Sequence, residues 1–446
     1  MCYTNYGHNS RLMECFRLLF WRNRIRNGGK MNAKQLLMSL FWPAAFLLAG
    51  LLMSAPAISQ EQQVHDLTIG KRFTVYSEVL AEDRTLLVAL PRDYHDSEER
   101  FPVLYVLDGE FFFYQAQAAV QFLSECTYIR THPIPQMIVV GIVNVDRNRD
   151  FTPTNAPVQG ELRYPTSGGA KKFLKFLQAE LVPKIDVRYR TQPYRVLSGW
   201  SFGGLFTVYT YLENPRVFSA YLAISPSLWW EQDGIIKKAK DAIADENMDF
   251  KPLVVTLGAL EGGDMDRSVR RGLFPLFKSK QVIAGAFTPI EIVERGHYYS
   301  PYQAFFDGLQ ALFEKWALPQ ERLEGGLESI KDFYQGLSAK AGYTIKIPES
   351  AYQALVGSLI SEDNDQAALE IARLTVEKYP KSSRAHKTLG VMLMRTGNND
   401  GARAQFERAI EVEKQLTEPD SERIMDAWLM LWLLDQGAGA TDSDSN

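Results

Sequence analysis

Cysteine is nearly missing from this chain: three in 446 residues, at positions 2, 15 and 126. Cys2 and Cys15 stand ahead of a stretch that reads as a removable leader. A processed chain would keep Cys126 alone, with no internal disulfide to form. No C-x-x-C pair and no cysteine–histidine cluster at ligand spacing occurs, so no metal site can be read. Histidine is scarce too, six in all, and no lysine/arginine run interleaves with aromatics. With a net charge of -4 there is no basic face for a phosphate backbone, which excludes nucleic acid as an expected partner.

What is present fits a globular protein of two or three domains: 46% hydrophobic and 23% charged residues. Residues 1–30 show no fold pattern and read as a non-structural extension. From Met31, "MNAKQLLMSLFWPAAFLLAGLLMSAPAISQ" has Lys34, an apolar run from Leu36 to Met53, and small residues Ala55, Ala57 and Ser59 in A-x-A-like positions. Residues 31–59 therefore read as a secretory signal and the chain as exported, periplasmic in a bacterial setting. The apolar run also reaches the lower length for a membrane span, so an uncleaved anchor is the alternative.

Between residues 60 and 318 short Val/Ile/Leu-rich runs alternate with helical stretches, the pattern of a mostly parallel sheet of about eight strands with helices on both faces. Strands are expected at 72–80 and 84–90 as an antiparallel hairpin, then at 102–109, 136–145, 194–200, 219–225, 252–258 and 289–296. Helices are expected at 168–186, 202–214, 265–280 and 301–315, and residues 146–167 as a long surface loop. Residues 319–347 read as a helical linker. Residues 348–415 align on themselves at an offset of 34, Leu355 over Leu389 and Ala368 over Ala402, which suggests a short tetratricopeptide-like all-α repeat domain. Residues 416–446 would form a terminal helix and a disordered tail.

The most informative stretch is "VLSGWSFGGLF", residues 196–206. Gly199-Trp200-Ser201-Phe202-Gly203 fits G-x-S-x-G between a strand pattern and a helical one, where a sharp turn thrusts a serine out beyond the sheet. A serine hydroxyl needs a base. Of the six histidines only His297, in "VERGHYYS", follows the last expected strand, the place for the base in the chain order Ser, acid, His. The acid would come from "ALEGGDMD": Glu261 is preferred, Asp264 held in reserve, and Asp266 after it. Oxyanion donors would be the Phe202 N–H at the start of its helix and the Glu110 N–H in "LDGEFFF". Phe111, Phe112, Phe113 and Tyr114 line either an acyl pocket or the core side of the next helix.

Taken together, "YVLDGEFFF", "VGIVNVDRNRDFTP", "LSGWSFGGLFTVYTYLENPRVFSAYLAISPSLWW" and "ERGHYYS" resemble the esterase D / enterochelin esterase family of α/β hydrolases over residues 72–316. The resemblance implies an α/β-hydrolase fold and a serine carboxylesterase mechanism with Ser201, His297 and Glu261, and no metal or organic cofactor. Its members act on diverse small-molecule esters, siderophore trilactones and aryl esters included, and relatives transfer acyl groups to sugars. Two departures bear on substrate: Trp200 stands where such relatives often have histidine, and Tyr298 follows the base and narrows the entrance. Arg147 and Arg149 match a polar signature of these relatives, either as a grip on an anionic substrate or as a surface pair. The expected function is thus an exported serine ester hydrolase. The alternatives are an acyltransferase to a sugar or wall component, and a non-catalytic scaffold that binds a protein partner through the repeats.

Overall fold

The computed structural model describes residues 68–126, 133–155, 164–245, 248–279, 286–417 and 419–441. The leader and anchor readings for residues 31–59 lie outside these. The first described segment forms the expected hairpin: β1 (Lys71–Ser77) pairs antiparallel with β2 (Glu82–Ala89) through a turn at Ala81. Strand β3 (Phe101–Val106) follows, buried at every position. It leads directly into helix α1 (Gly109–Glu125), the helix mentioned without bounds after "LDGEFFF". Phe112, Phe113, Ala116, Ala119, Val120 and Leu123 are its buried stripe, at the spacing that seats a helix on a sheet.

Strand β4 (Ile138–Ile142) pairs antiparallel with β2 and parallel with β3. The segment read as a surface loop then begins with helix α2 (Arg147–Phe151). Two features fold it back: the Asp146 carboxylate caps the Arg149 N–H at 3.0 Å, and Phe151 is buried against Phe173 and Phe206. Next come α3 (Ala170–Phe176) and α4 (Val182–Arg188), joined by a π-helical turn, Leu177–Leu181. Strand β5 (Thr191–Trp200), α5 (Phe202–Glu213) and β6 (Ala220–Ile224) follow. Helix α6 (Trp230–Ala244) was not anticipated. Its polar sequence is interrupted at 231–233, where three residues take positive φ, so no clean helical period could be read. Strand β7 (Leu253–Gly258), a π-helical stretch Asp266–Leu273, α7 (Phe274–Lys278), β8 (Phe287–Ile292) and α8 (Ser300–Leu312) complete the sheet unit.

The sheet has eight strands in the order β1-β2-β4-β3-β5-β6-β7-β8, parallel from β4 onward to β8. Its two faces feed separate cores. One gathers Phe151, Phe173, Phe206 and Tyr211; the other Phe112, Leu309 and Phe305 from α1 and α8. Such burial on both faces is why the central strands read as continuous apolar runs.

An all-helical array follows: α9 (Gln320–Glu324), α10 (Gly326–Ala341), α11 (Glu349–Ser361), α12 (Asp365–Lys378), α13 (Ser383–Arg395), α14 (Asn399–Lys414) and α15 (Ser421–Thr441). The expected period is visible in it, because α11 and α13 start 34 residues apart, as do α12 and α14. Asn364 and Asn398 cap the second helix of each pair, and Leu355, Leu389, Ala368 and Ala402 are all buried. Residues 319–347 do more than link: Leu323, Ile330, Tyr334 and Leu337 share one apolar cluster with Ala351 and Leu355. The terminal helix expected within 416–446 is α15, which runs to Thr441. Lys346 donates to Glu99 at 2.5 Å, Thr417 to Asp96 at 2.8 Å, and Trp316 packs near Tyr194 and Tyr343.

Candidate active site

The site begins with the turn between β5 and α5. Ser201 has φ 58° and ψ −114°, a strained angle for a residue with a side chain, in the range reserved for tight functional turns. The turn is held by the Ser201 N–H, which donates to Ile224 O at 3.0 Å, and by the Ser201 carbonyl, which accepts from Leu205 N–H and Ser227 N–H. Gly199 lies so close to the returning chain that a Cβ there would overlap the Gly203 backbone. Glycine is thus required by contact rather than by chain flexibility.

His297 and Glu261 complete a hydrogen-bonded line. Glu261 Oε2 lies 2.8 Å from His297 Nδ1, and His297 Nε2 lies 3.0 Å from Ser201 Oγ. Glu261 leaves β7 by three residues and turns back, its other oxygen accepting from the Gly258 N–H at 2.8 Å and from Ser225 Oγ at 2.6 Å. Burial pushes this carboxyl toward the neutral form. The hydrogen bonds from His297, Ser225 and the Gly258 N–H outweigh that, and its pKa falls below the usual glutamate value. An ionised Glu261 accepts only, so Nδ1 carries the ring proton and Nε2 presents a lone pair to the Ser201 hydroxyl. The serine oxygen then receives its second hydrogen bond from Ser227 Oγ, 3.1 Å away.

The two reserve acids are engaged elsewhere. Asp264 is 52% exposed and pairs with Arg267, whereas Asp266 pairs with Arg270 and Arg271. The other histidines in the described residues stand apart: His95 packs on Tyr94, and His386 bridges Gln405 and Pro380 O within the helical array. His132, in the "RTHPIPQ" connection, lies outside the described residues.

Across from Ser201, two residues past the end of β3, Asp108 holds φ 54° and caps the start of α1. The Glu110 and Phe202 N–H groups both fall in the first turns of their helices, where no intrahelical acceptor exists. Their surroundings are fixed by side chains. Arg147 Nε and Nη2 donate to both oxygens of the buried Asp108 carboxylate at 2.6 and 3.0 Å, and Nη2 also reaches Trp200 O at 3.1 Å. Asn144 donates to Asp108 at 2.7 Å and to Glu110 at 2.8 Å. Arg147 therefore clamps the end of β3 to the end of β5, which the reading of it as a substrate grip did not foresee. Arg149 corrects the same reading. It places both terminal nitrogens on Glu82, at 2.9 and 2.6 Å, and its Nε on Asp150, so its charge is committed inside the protein.

The aromatic residues divide. Phe112 packs on Trp200 and Phe305 and Phe113 is buried, while Phe111 and Tyr114 are exposed. The Trp200 ring lies beside His297, and Tyr298 stands 78% exposed with its ring 5.4 Å from the imidazole. Sequence reasoning missed Ser225, Ser227, Ser300 and Arg270. Ser300 Oγ sits 3.0 Å from Ser225 Oγ, and Arg270 donates to Glu261 O at 3.3 Å. Two of them lie in "SPSLWW", directly after β6, where Ser225 meets Glu261 and Ser227 meets Ser201.

Known proteins resemble this chain in sequence and in fold. Residues 77–256 match the family model Esterase, described as "Putative esterase". The chain is 32% identical over 173 residues to the ferri-bacillibactin esterase BesA of Bacillus subtilis, covering 36% of this chain and 60% of that relative. Among solved structures, an IroE-like serine hydrolase from Shewanella oneidensis superposes with TM-score 0.59 at 27% identity, covering 69% of this chain and 99% of its own. The sheet unit has an α/β-hydrolase fold, and within it residues 77–256 resemble an esterase family. A further structure, an uncharacterised protein from Capnocytophaga ochracea, shares the fold over 82% of this chain and 99% of its own with TM-score 0.51 at 15% identity. That span is too long for the sheet unit alone. The chain spans 60% and 56% of the length of two curated esterase relatives, BesA and a triacetylfusarinine C esterase of Aspergillus fumigatus.

Proposed function

We propose that the protein hydrolyses carboxylic esters through an acyl-enzyme on Ser201. His297 Nε2 takes the Ser201 proton as Oγ attacks the ester carbonyl. The tetrahedral oxyanion receives hydrogen bonds from the Glu110 and Phe202 N–H groups. The imidazolium, held by Glu261, returns its proton to the leaving alkoxide, which departs as the alcohol. Water then attacks the acyl-enzyme by the same path in reverse, releasing the acid. The observation that carries this reading is the line Glu261–His297–Ser201, with both contacts at 2.8–3.0 Å.

Two relatives are a ferri-bacillibactin esterase and a siderophore triacetylfusarinine C esterase. They favour an iron-chelating ester as the substrate class. Export through residues 31–59, and service of the helical array as a protein-binding appendage, belong to the same proposal and rest on sequence pattern.

The test is turnover of p-nitrophenyl acetate and butyrate beside a panel of iron-chelating trilactones. Ser201→Ala is expected to lose at least a thousandfold in kcat with its circular dichroism unchanged. Equal rates for Ser201→Ala and wild type would overturn the mechanism. Failure of every trilactone, with aryl esters still cleaved, would overturn the substrate class alone.

A further inference from the structure

Helix α15 closes the helical array, and the end of such a stack ordinarily turns a polar face to water. Here it does not. Ala427, Leu431 and Leu434 are buried against the preceding helices, in one cluster with Leu389, Met392, Phe406 and Ile410. On the outer side Met425, Trp428, Leu429, Trp432 and Leu433 are between 42% and 65% exposed. Their spacing, i, i+3, i+4, i+7, i+8, is that of a helix face made to be covered. The helix is thus apolar on both sides, which is the signature of a buried element.

We propose that this outer face is a dimer interface, covered by α15 of a second copy of the chain. Area supports it: the five exposed side chains present on the order of 500 Å² per copy, so a two-fold pair would remove roughly 1,000 Å², the threshold for a specific interface. Geometry supports it as well, because a straight apolar helix stripe is complementary to itself under two-fold symmetry, residue i meeting j and j meeting i. Two tryptophans near the centre of the stripe are the residue type that anchors such interfaces.

Charge disfavours a lipid surface as the cover. Helices that lie on membranes carry lysine or arginine beside the apolar face. From Ile424 to Thr441 this helix has neither; its charges are Asp426 and Asp435, already paired with Lys387 and Arg403.

The test is the molar mass of the full chain by light scattering after gel filtration, from 1 to 100 µM, for wild type and Trp428→Glu/Trp432→Glu. The expected result is twice the chain mass for wild type and the single-chain mass for the variant, the dissociation constant rising at least a hundredfold. Turnover of a small soluble ester per chain should stay the same in both. The apolar stretch at 36–53 is common to both proteins, so the difference between them isolates α15. Leu429→Lys serves as a second variant should the double one fail to fold. A single-chain mass for wild type across the range overturns the proposal. So does a dimer that survives the substitutions, or binding of the monomer to phosphatidylcholine/phosphatidylglycerol vesicles that the substitutions abolish.

Discussion

The indole of Trp200 lies against the imidazole of His297, with ring centroids 4.7 Å apart and planes inclined by 33°, while Trp200 Nε1 donates to the His297 carbonyl at 3.1 Å. One side chain thus orients the ring and fastens the loop that carries it. Its π face also lies next to the charge that the imidazole would acquire when it accepts the serine proton.

Loss of both contacts should slow the reaction without weakening substrate binding. Stacking and one hydrogen bond are together worth about 1–3 kcal/mol, so Trp200→Ala is expected to lower kcat about ten- to a hundredfold at a nearly constant KM. Trp200→Phe keeps a ring and loses the donor, and should fall between. Steady-state kinetics on p-nitrophenyl butyrate measure both, and a KM rise that accounts for the whole loss would make Trp200 a pocket wall instead.

The carboxylates of the 258–266 loop can be separated by the same assay. Glu261→Gln cannot accept the Nδ1 proton as a carboxylate does, and kcat should drop by about two to four orders of magnitude. Asp264→Asn removes an exposed ion pair and Asp266→Asn a half-buried one, both with arginines away from the catalytic line, and each should stay within about threefold of wild type. A larger loss at Asp264 than at Glu261 would reverse the assignment.

The two arginines of α2 should respond differently. Arg147→Met strands the buried Asp108 carboxylate with Asn144 as its remaining partner, a loss of about 3 kcal/mol in stability. It also frees the ends of β3 and β5, so kcat should fall about tenfold or more. Arg149→Met breaks a partly exposed pair with Glu82 and one with the buried Asp150, which keeps Arg84 as its partner, so the cost should be about 1 kcal/mol with kcat and KM within twofold. Thermal melts read beside kinetics distinguish the pair, and a KM rise confined to anionic esters in Arg147→Met would restore its reading as a substrate grip.

Acid should loosen the protein in a defined direction. Burial raises the pKa of Glu82, but hydrogen bonds from Arg149 and the nearby charge of Arg84 more than reverse that, and Glu261 is likewise held low. A carboxyl whose native pKa is depressed contributes stability that is complete above its unfolded value, about 4.3, and is lost as pH falls through the native one. Melting temperature should therefore stay flat toward pH 5 and fall steeply below about pH 4. In Glu82→Gln that fall should be shallower, and an identical acid limb would remove Glu82 from the account.

How much of this was legible in the sequence depends on where each signal is stored. Glycine spacing marks a close backbone approach, so Ser201 and its turn could be read from five residues. His297 followed from chain order, and Glu261 from its distance past the end of β7. Ser225, Ser227 and Arg270 could not be read in that way, because each meets its partner only once β6, β7 and the 266–273 helix lie side by side. Arg147 was found as a polar residue near the site, but its direction was not, since that depends on a buried carboxylate 39 positions earlier. Helix α6 was missed because its left-handed break at 231–233 erases the period on which a helix assignment depends.

The helical array touches the sheet unit at Asp96 and Glu99, just ahead of β3, and through Tyr343 at Trp316, whose ring packs on Tyr194 near the start of β5. Ser201 follows the far end of β5. A strand of six to ten residues separates those poles by about 20–30 Å. These anchoring contacts therefore fall at the rim of the sheet opposite Ser201, and none of them bears on the entrance to the catalytic line.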